Sequence, residues 1–372
     1  MIDPTDRRFM AMALALAERG LGNVWPNPAV GCVLVKEGRV VGRGWTQPGG
    51  RPHAEGEAVA RAGAAARGST AYVTLEPCAH HGRTPPCVDA MLEAGIVRAV
   101  IAARDPDPRV DGRGIARLRA AGMEVALGCL EDEARRLNGG FFLRMRQDRP
   151  AVSLKLATSA DGRIATSNGD SQWITGPLAR AEGHRLRLRH DAILIGSGTA
   201  LADDPLLTCR LPGLEERSPV RVVLDRRLRL AADSRLARSA QALSPVWLFT
   251  RRTGSPAAAG LAAAGVSVLP LASDEPDASL REVLAGLSAR GITSVLIEGG
   301  ATVATAFLRQ RLVDRLHLFT APLLVGADGA PAIQELGVRR LAEAQRWRRV
   351  EDRPLGPDRL SVLEPVPALP PS

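Results

Sequence analysis

The segments His53-Ala54-Glu55, Pro77-Cys78 and Cys87 constrain this 372-residue chain more than anything else in it. One imidazole and two thiolates can hold a zinc ion and leave its fourth position to water. To do so, the chain must bring separated segments to one point. Residues 70–75 read as a strand that ends in Glu76-Pro77-Cys78. Gly49-Gly50-Arg51-Pro52 is an extended lead into His53, and a helix begins near Ala54. Strand ends that converge on one point are how a parallel sheet builds a site, so the expected class is α/β.

Glu55 lies two residues from the histidine and is free to move protons instead of binding metal. The set is close to the H-x-E…P-C-x-x-C pattern of zinc-dependent deaminases. Here eight residues, Ala79 to Pro86, separate the two cysteines where that pattern has two. The expected chemistry follows from charge. Bound zinc makes hydroxide available near neutrality. Glu55 would accept the water proton and return protons to a ring nitrogen and a leaving amine, so that ammonia departs and a carbonyl remains. The alternative is a structural zinc site with four protein ligands, the fourth supplied by His80 or His81.

The other cysteines, Cys32, Cys129 and Cys209, make an odd total of five. With no secretion signal at Met1-Ile2-Asp3-Pro4-Thr5-Asp6, a disulfide framework is not expected. No apolar run is long enough to span a membrane. A cytoplasmic enzyme without a membrane partner is the expectation. The formal charge of +9 would suit nucleic acid, but the arginines are scattered and aromatic residues make up only 3% of the chain. A stacking surface for bases needs those aromatics, so nucleic acid is not the expected partner. A solvated arginine-rich surface with a few anion sites, serving a phosphorylated small molecule, accounts for the charge. Lysine occurs only as Lys36 and Lys155, which singles out both positions.

Along the first half, Asp3 caps a helix with Pro4 at its first position, and Gly20 closes it. Residues 29–35 and 39–45 form a hairpin about Glu37-Gly38. Helices are expected over 54–67 and about 87–94, a strand over 97–103, and a helix with a last strand over 112–128. Residues 130–146 read as one arginine-rich helix, and 147–150 as a boundary. Beyond it, strands are expected at 151–157, 191–195, 220–224, 246–249, 293–297 and 315–320, with helices at 177–189, 278–289 and 301–311. The proline-rich end reads as disordered. The domains are thus 1–147 and 148–367, with a tail at 368–372.

Three segments, Pro26-Asn27-Pro28-Ala29-Val30-Gly31, His53-Ala54-Glu55 and Glu76-Pro77-Cys78 through Pro86-Cys87, resemble the deaminase domain of the bifunctional riboflavin-biosynthesis deaminase/reductase family, the RibD family. The long insert between the cysteines is that family's form of the motif. The resemblance implies a cytidine-deaminase-like three-layer sandwich, with His53, Cys78 and Cys87 as zinc ligands and Glu55 as proton shuttle. It implies that Asn27 reads the pyrimidine edge; as a residue between two prolines, Asn27 reads equally well as a turn residue. Two positions depart from the family. Thr46 stands where a histidine is usual, and Asp107 where asparagine is more usual.

The second half has no zinc motif and no nucleophile. It has two glycine-bearing strand ends, Gly196-Ser197-Gly198-Thr199 and Glu298-Gly299-Gly300-Ala301-Thr302. Such turns let backbone N–H groups approach phosphates, although the first lacks the third glycine of a dinucleotide fingerprint. Leu154-Lys155-Leu156-Ala157, Ser159 to Ala165, Ser171-Gln172-Trp173-Ile174-Thr175 and Leu201 to Thr208 resemble the same family's reductase domain. That implies a dihydrofolate-reductase-like fold using NADPH, and the resemblance covers nearly the whole chain. Ala157, Trp173, Thr199 and Asp203 match cofactor-contacting positions, with Gly300, Ala301 and Thr302 near the pyrophosphate. Ser171, Arg187, Leu207, Arg210 and Glu298 match substrate-contacting ones. Arg187 and Arg210 suit a 5′-phosphate, and Lys155 suits the ribose. The implied pair of reactions is deamination of a diaminopyrimidinone ribosyl phosphate and reduction of the deaminated product. A homo-oligomer is the assembly the family suggests. The departure at Arg226, where the family often has serine, leaves open a chain with one inactive domain.

Overall fold

The computed structural model describes residues 2–82, 85–273 and 275–366. The expected tail at 368–372 lies outside the described residues. The chain divides into two units, Met1–Arg149 and Pro150–Ser372.

The first unit contains α1 (Pro4–Ala17), β1 (Gly31–Lys36), β2 (Arg39–Trp45), α2 (Ala54–Ala62), β3 (Thr70–Leu75), α3 (Cys87–Glu93), β4 (Arg98–Ala103), α4 (Arg113–Ala120), β5 (Glu124–Leu127), α5 (Glu131–Leu137) and α6 (Gly139–Gln147). Its sheet runs β2-β1-β3-β4-β5, with β3, β4 and β5 parallel and β1 antiparallel to both neighbours. Asp3 caps α1 through the Asp6 amide, and Asp6 returns a bond to the Asp3 amide. Helices cover both faces of the sheet, and glycines set how closely they lie. A Cβ on Gly31 would sit 1.9 Å from the Ala13 carbonyl oxygen of α1. On the other face, a Cβ on Gly44 would sit 2.3 Å from the Ala54 carbonyl oxygen of α2. Backbone therefore packs on backbone, and α2 is held against the hairpin with His53 at its N-cap.

The arginine-rich stretch expected as one helix over 130–146 is two, broken at Asn138. The Asn138 amide explains the break. It accepts from the Ala29 N–H and donates to the Ala29 carbonyl, 2.9 Å each, far across the sequence. That pair also fixes the segment that follows Asn27.

The second unit contains β6 (Ala151–Ser159), β7 (Arg163–Ala165), α7 (Pro177–Leu188), β8 (Ala192–Gly196), α8 (Ser197–Asp203), β9 (Val220–Leu224), α9 (Arg235–Arg238), β10 (Val246–Thr250), α10 (Pro256–Ala263), β11 (Ser267–Pro270), α11 (Pro276–Ala289), β12 (Ser294–Glu298), α12 (Ala301–Arg309), β13 (Arg315–Ala321), β14 (Ala330–Pro331), β15 (Trp347–Leu355) and β16 (Asp358–Pro365). The large sheet runs β11-β10-β9-β8-β12-β6-β13-β16-β15 and is parallel up to β13. The β15–β16 hairpin adds antiparallel strands at one edge. It was not expected from the sequence, because charged residues such as Arg348, Arg349, Glu351 and Asp352 fill its exposed strand. Such charge is a common guard on an open edge.

Register places Ser153, Lys155 and Ala157 of β6 beside Arg315, His317 and Phe319 of β13. Glu298 of β12 pairs with Lys155 from the other side. Helix α7 lies over this face, with Leu186 packed among Leu296, Phe319 and Leu360. His317 is buried there with neither ring nitrogen hydrogen-bonded, and His190 binds the Ser153 hydroxyl at 2.8 Å. Burial lowers His317 to about 3 and His190 to about 4.

Two measurements test these packings. Gly31→Ala should lower the stability of the first unit by about 1–3 kcal/mol, read by denaturant unfolding, because the new methyl has no space against α1. In the second unit the folded histidines bind protons more weakly than unfolded ones, whose value is about 6.5. Their contribution is complete above that value and is lost as pH falls from it toward 4 and 3. Melting temperature should therefore drop over this range, and His317→Phe should flatten the slope.

Candidate active sites

In the first unit the three expected segments meet. His53 caps α2, Cys78 follows the end of β3, and Cys87 opens α3. The His53 Nδ1 lies 3.2 Å from the Cys87 sulfur and 3.7 Å from the Cys78 sulfur, and the three ligand atoms lie within 4.8 Å of one another. Zinc bonds of about 2.0–2.3 Å in a tetrahedron separate ligand atoms by about 3.5–3.8 Å, so this donor set fits the ion. The Cys87 amide also points at the Cys78 sulfur, at 3.3 Å. Hydrogen bonding from Cys87, opposed by burial and aided by His53, holds Cys78 down to about 4, in the thiolate range. Neither His80 nor His81 joins the ligand group among the described residues. Three protein ligands leave a position for water, which favours the catalytic reading over the four-ligand structural one.

Glu55 is 4% exposed and faces the same cleft, of about 520 Å³. Burial pushes its carboxyl up to about 7. Asn27 lines the cleft too, and its Nδ2 donates to the Gly50 carbonyl at 3.0 Å. One N–H is so held, which leaves the amide oxygen and the second N–H for a ligand. Gly50 has φ +84°, and a Cβ there would fall 1.9 Å from Asn27 Nδ2. Thr46 is 2% exposed; its hydroxyl accepts from the Val30 N–H at 2.9 Å and donates to the Pro28 carbonyl at 3.1 Å. At this position the chain braces a loop.

Sequence reasoning passed over part of the site. Glu76 is buried and accepts from the Asp105, Gly112 and Ile115 amides. Asp105, at the end of the neighbouring strand β4, accepts from the Asp107 amide, and burial raises its carboxyl to about 7. The Asp107 carboxylate is clamped by the Arg109 guanidinium at 2.6–3.1 Å. Asp107 stands out in the sequence as a departure from the family; the signal for Asp105 was its place, after the strand β4 that lies beside β3.

In the second unit, Lys155, Arg187 and Glu298 come together. Arg187 Nε and Nη2 donate to the two Glu298 oxygens at 2.8 and 2.9 Å, and Nη1 donates to the Thr208 carbonyl at 2.9 Å. Burial alone would raise Glu298, but the charge and hydrogen bonds of Arg187, then the charge of Lys155, hold it at about 2. Burial lowers Lys155, with Glu298 opposing. Thr199 and Gly300 also meet: the Thr199 hydroxyl accepts from the Gly300 N–H at 2.9 Å, which joins the two glycine-bearing strand ends. Ala301 and Thr302 form the first turn of α12, and Ala157 lies two residues beyond Lys155 on the same face. Asp203 ends α8. Leu207 is buried with φ +58°. Ser171 and Trp173 lie on the exposed loop between β7 and α7, with the Arg180 guanidinium 4.8 Å over the Trp173 ring. Arg210 is exposed and contacts His184, a residue not anticipated from the sequence.

A His/Cys/Cys set with an open position, beside a buried glutamate that is not a ligand, defines a zinc-dependent deaminase in the first unit. Comparison with known proteins agrees. Residues 3–103 match the cytidine and deoxycytidylate deaminase zinc-binding region, and residues 150–360 match the RibD C-terminal domain. The riboflavin biosynthesis protein RibD of Escherichia coli is 42% identical, over 95% of this chain and 97% of its own length. That of Aquifex aeolicus is 41% identical, over 96% and 98%. A solved structure of Acinetobacter baumannii RibD has a TM-score of 0.88 at 39% identity, covering 97% of this chain and 99% of its own. The structure of a diaminohydroxyphosphoribosylaminopyrimidine deaminase/5-amino-6-(5-phosphoribosylamino)uracil reductase from Thermotoga maritima has a TM-score of 0.86 at 37% identity, with the same coverage.

The chain belongs to the RibD family of riboflavin biosynthesis, enzymes that join a deaminase to a reductase. Its deaminase domain matches a zinc-binding family region, and His53, Cys78 and Cys87 are the residues that could hold the ion. Among the described residues no helix is long and apolar enough to cross a membrane.

The Asn27–Gly50 contact supplies a test. Gly50→Ala should keep about one zinc per chain by metal analysis, yet slow ammonia release by at least tenfold, because the methyl displaces the Asn27 amide.

Proposed function

We propose that the first domain, 1–147, hydrolytically deaminates 2,5-diamino-6-ribosylamino-4(3H)-pyrimidinone 5′-phosphate. The second, 148–367, reduces the resulting 5-amino-6-(5-phosphoribosylamino)uracil to its ribitylamino form with NADPH. The observation that carries this reading is the His53, Cys78 and Cys87 set at metal-ligand spacing, in one cleft with Glu55.

When bound, zinc supplies a Lewis acid and a nucleophilic water near neutral pH. Glu55 takes the proton of the attacking water and returns protons to the ring nitrogen and the departing amine, so ammonia leaves. The Asn27 amide oxygen accepts from the pyrimidine edge and orients the ring. Asp105, partly protonated near neutrality, is a second polar group on the wall of the cleft.

In the reductase, NADPH would supply a hydride for C1′ of the opened sugar, so the protein's part is to orient two ligands and supply a proton. Thr199, Gly300, Ala301 and Thr302 form the phosphate end of the cofactor site, with Ala157, Trp173 and Asp203 as its other contacts. Ser171, Leu207, Arg210 and Arg187 surround the substrate. Glu298 is a poor proton donor, because both of its oxygens accept from Arg187 and its carboxyl is held at about 2. Lys155, lowered by burial beside it, is the better donor.

The enzyme works in the cytoplasm as a homo-oligomer. Five free cysteines suit a reducing compartment, and the family resemblance supplies the assembly.

Incubation with the diaminopyrimidinone phosphate, with and without NADPH, tests both reactions by product mass. Deaminated product should accumulate without NADPH and ribitylamino product with it. Glu55→Gln should cut ammonia release about 10²–10⁴-fold while zinc content holds. Undiminished deamination by that variant would sink the proton-shuttle assignment.

A further inference from the structure

One corner of the reductase unit has more hydrogen-bond donors than its neighbours can satisfy. His184 lies one helical turn before Arg187 on α7, and Arg210 turns two donors on its ring. The Arg210 backbone N lies 3.3 Å from Nδ1, and its Nε lies 3.2 Å from Nε2. A neutral imidazole has one acceptor nitrogen and one N–H, so whichever tautomer is present, one Arg210 donor faces a group that cannot accept. Protonating the ring removes the remaining acceptor. Arg187 adds to the excess. Three of its N–H groups are committed to Glu298 and Thr208, and a guanidinium has five.

The charged groups facing His184 are Arg187 from its own helix, Arg210 from the loop after β8 and α8, and Glu298 from the sheet. Lys155 stands on the far side of Glu298, and the Cys209 thiol donates to the His184 carbonyl at 3.7 Å. Two arginines thus confront one carboxylate, and that carboxylate is already bidentate to Arg187. What the corner lacks is a group with several acceptors and negative charge. A phosphate monoester has three acceptor oxygens and up to two charges, and planar guanidinium forks suit it.

We infer that His184 is a binding residue for the 5′-phosphate of the reductase substrate, donating a ring N–H to a phosphate oxygen together with Arg210. This rests on the reductase reading proposed above. Arg210 is exposed, so its guanidinium can leave the imidazole for the ligand. Burial, then the two arginines, keep the imidazole neutral, down to about 4. A dianion alongside favours the imidazolium, so binding takes up a proton and weakens as pH rises.

The full-length protein can be titrated calorimetrically with ribose 5-phosphate, with ribose and with NADPH, alongside steady-state reduction of the phosphorylated substrate. His184→Leu should weaken ribose 5-phosphate about tenfold or more, the loss of one charge-assisted hydrogen bond. It should raise the KM of reduction by a similar factor, with a smaller change in kcat, and flatten the pH dependence of ribose 5-phosphate affinity. Ribose and NADPH affinities should hold, and His184→Gln, which keeps a donor, should recover part of the loss. Unchanged ribose 5-phosphate affinity, or an equal loss for ribose and NADPH, would overturn the assignment. If wild-type protein reduces nothing yet binds ribose 5-phosphate through His184, the reductase reading fails and the anion site stands.

Discussion

The geometry of the deaminase site depends on one buried carboxylate outside the metal set. Glu76 is 3% exposed and directly follows β3, two residues before Cys78. One of its oxygens accepts from the Asp105 and Gly112 amides and the other from the Ile115 amide. The end of β3 is thereby tied to the end of β4 and to the first turn of α4. The tie requires close backbone approach, and Gly114 provides it: a Cβ there would sit 2.1 Å from the Pro77 carbonyl oxygen. A buried carboxylate without partners would be costly, whereas three amide donors satisfy this one. The Cys78 sulfur is thus set by a rigid strand end. The same tie carries Asp105 to the cleft.

The reductase unit solves a similar problem with an ion pair. Glu298 and Lys155 are register partners on adjacent parallel strands, and Arg187 reaches down from α7 to chelate Glu298. Desolvation opposes charge here, and a buried pair holds only where geometry and further hydrogen bonds compensate. The bidentate fork and the Thr208 carbonyl supply them. With three of its N–H groups so committed, Arg187 keeps two for other partners. In the first unit Cys78 lies beyond the C-terminal end of a parallel strand, where loops can vary over a fixed sheet.

How much of this the sequence showed depended on whether a side chain's partner was local. The metal set was legible because zinc demands few residue types, and each lay at a strand–helix junction. The β1–β2 hairpin was legible from Glu37-Gly38 and its flanking pattern. The break at Asn138 was hidden, since its partner, Ala29, lies over a hundred residues away. The β15–β16 hairpin was hidden because an edge strand defended by charge loses the apolar alternation that marks a strand. Glu76 and His184 were missed for a related reason. Each acts through groups that only the fold brings near, and nothing in their neighbours' identities points to them.

Thr46 shows how a departure from a family pattern can be read physically. The residue is enclosed, and its hydroxyl joins the Pro28 carbonyl to the Val30 amide, one acting as acceptor and the other as donor. A hydroxyl can serve both at once, because it carries one hydrogen and two lone pairs on a single atom. A neutral imidazole also has a donor and an acceptor, but they lie on opposite sides of its ring, too far apart to bridge backbone groups two residues apart. A histidine here would have to send at least one nitrogen elsewhere, and the cleft is what the position faces. Threonine exchanges that reach for a tighter loop. The loop it tightens carries Asn27, which lines the same cleft as Asp105 and Asp107.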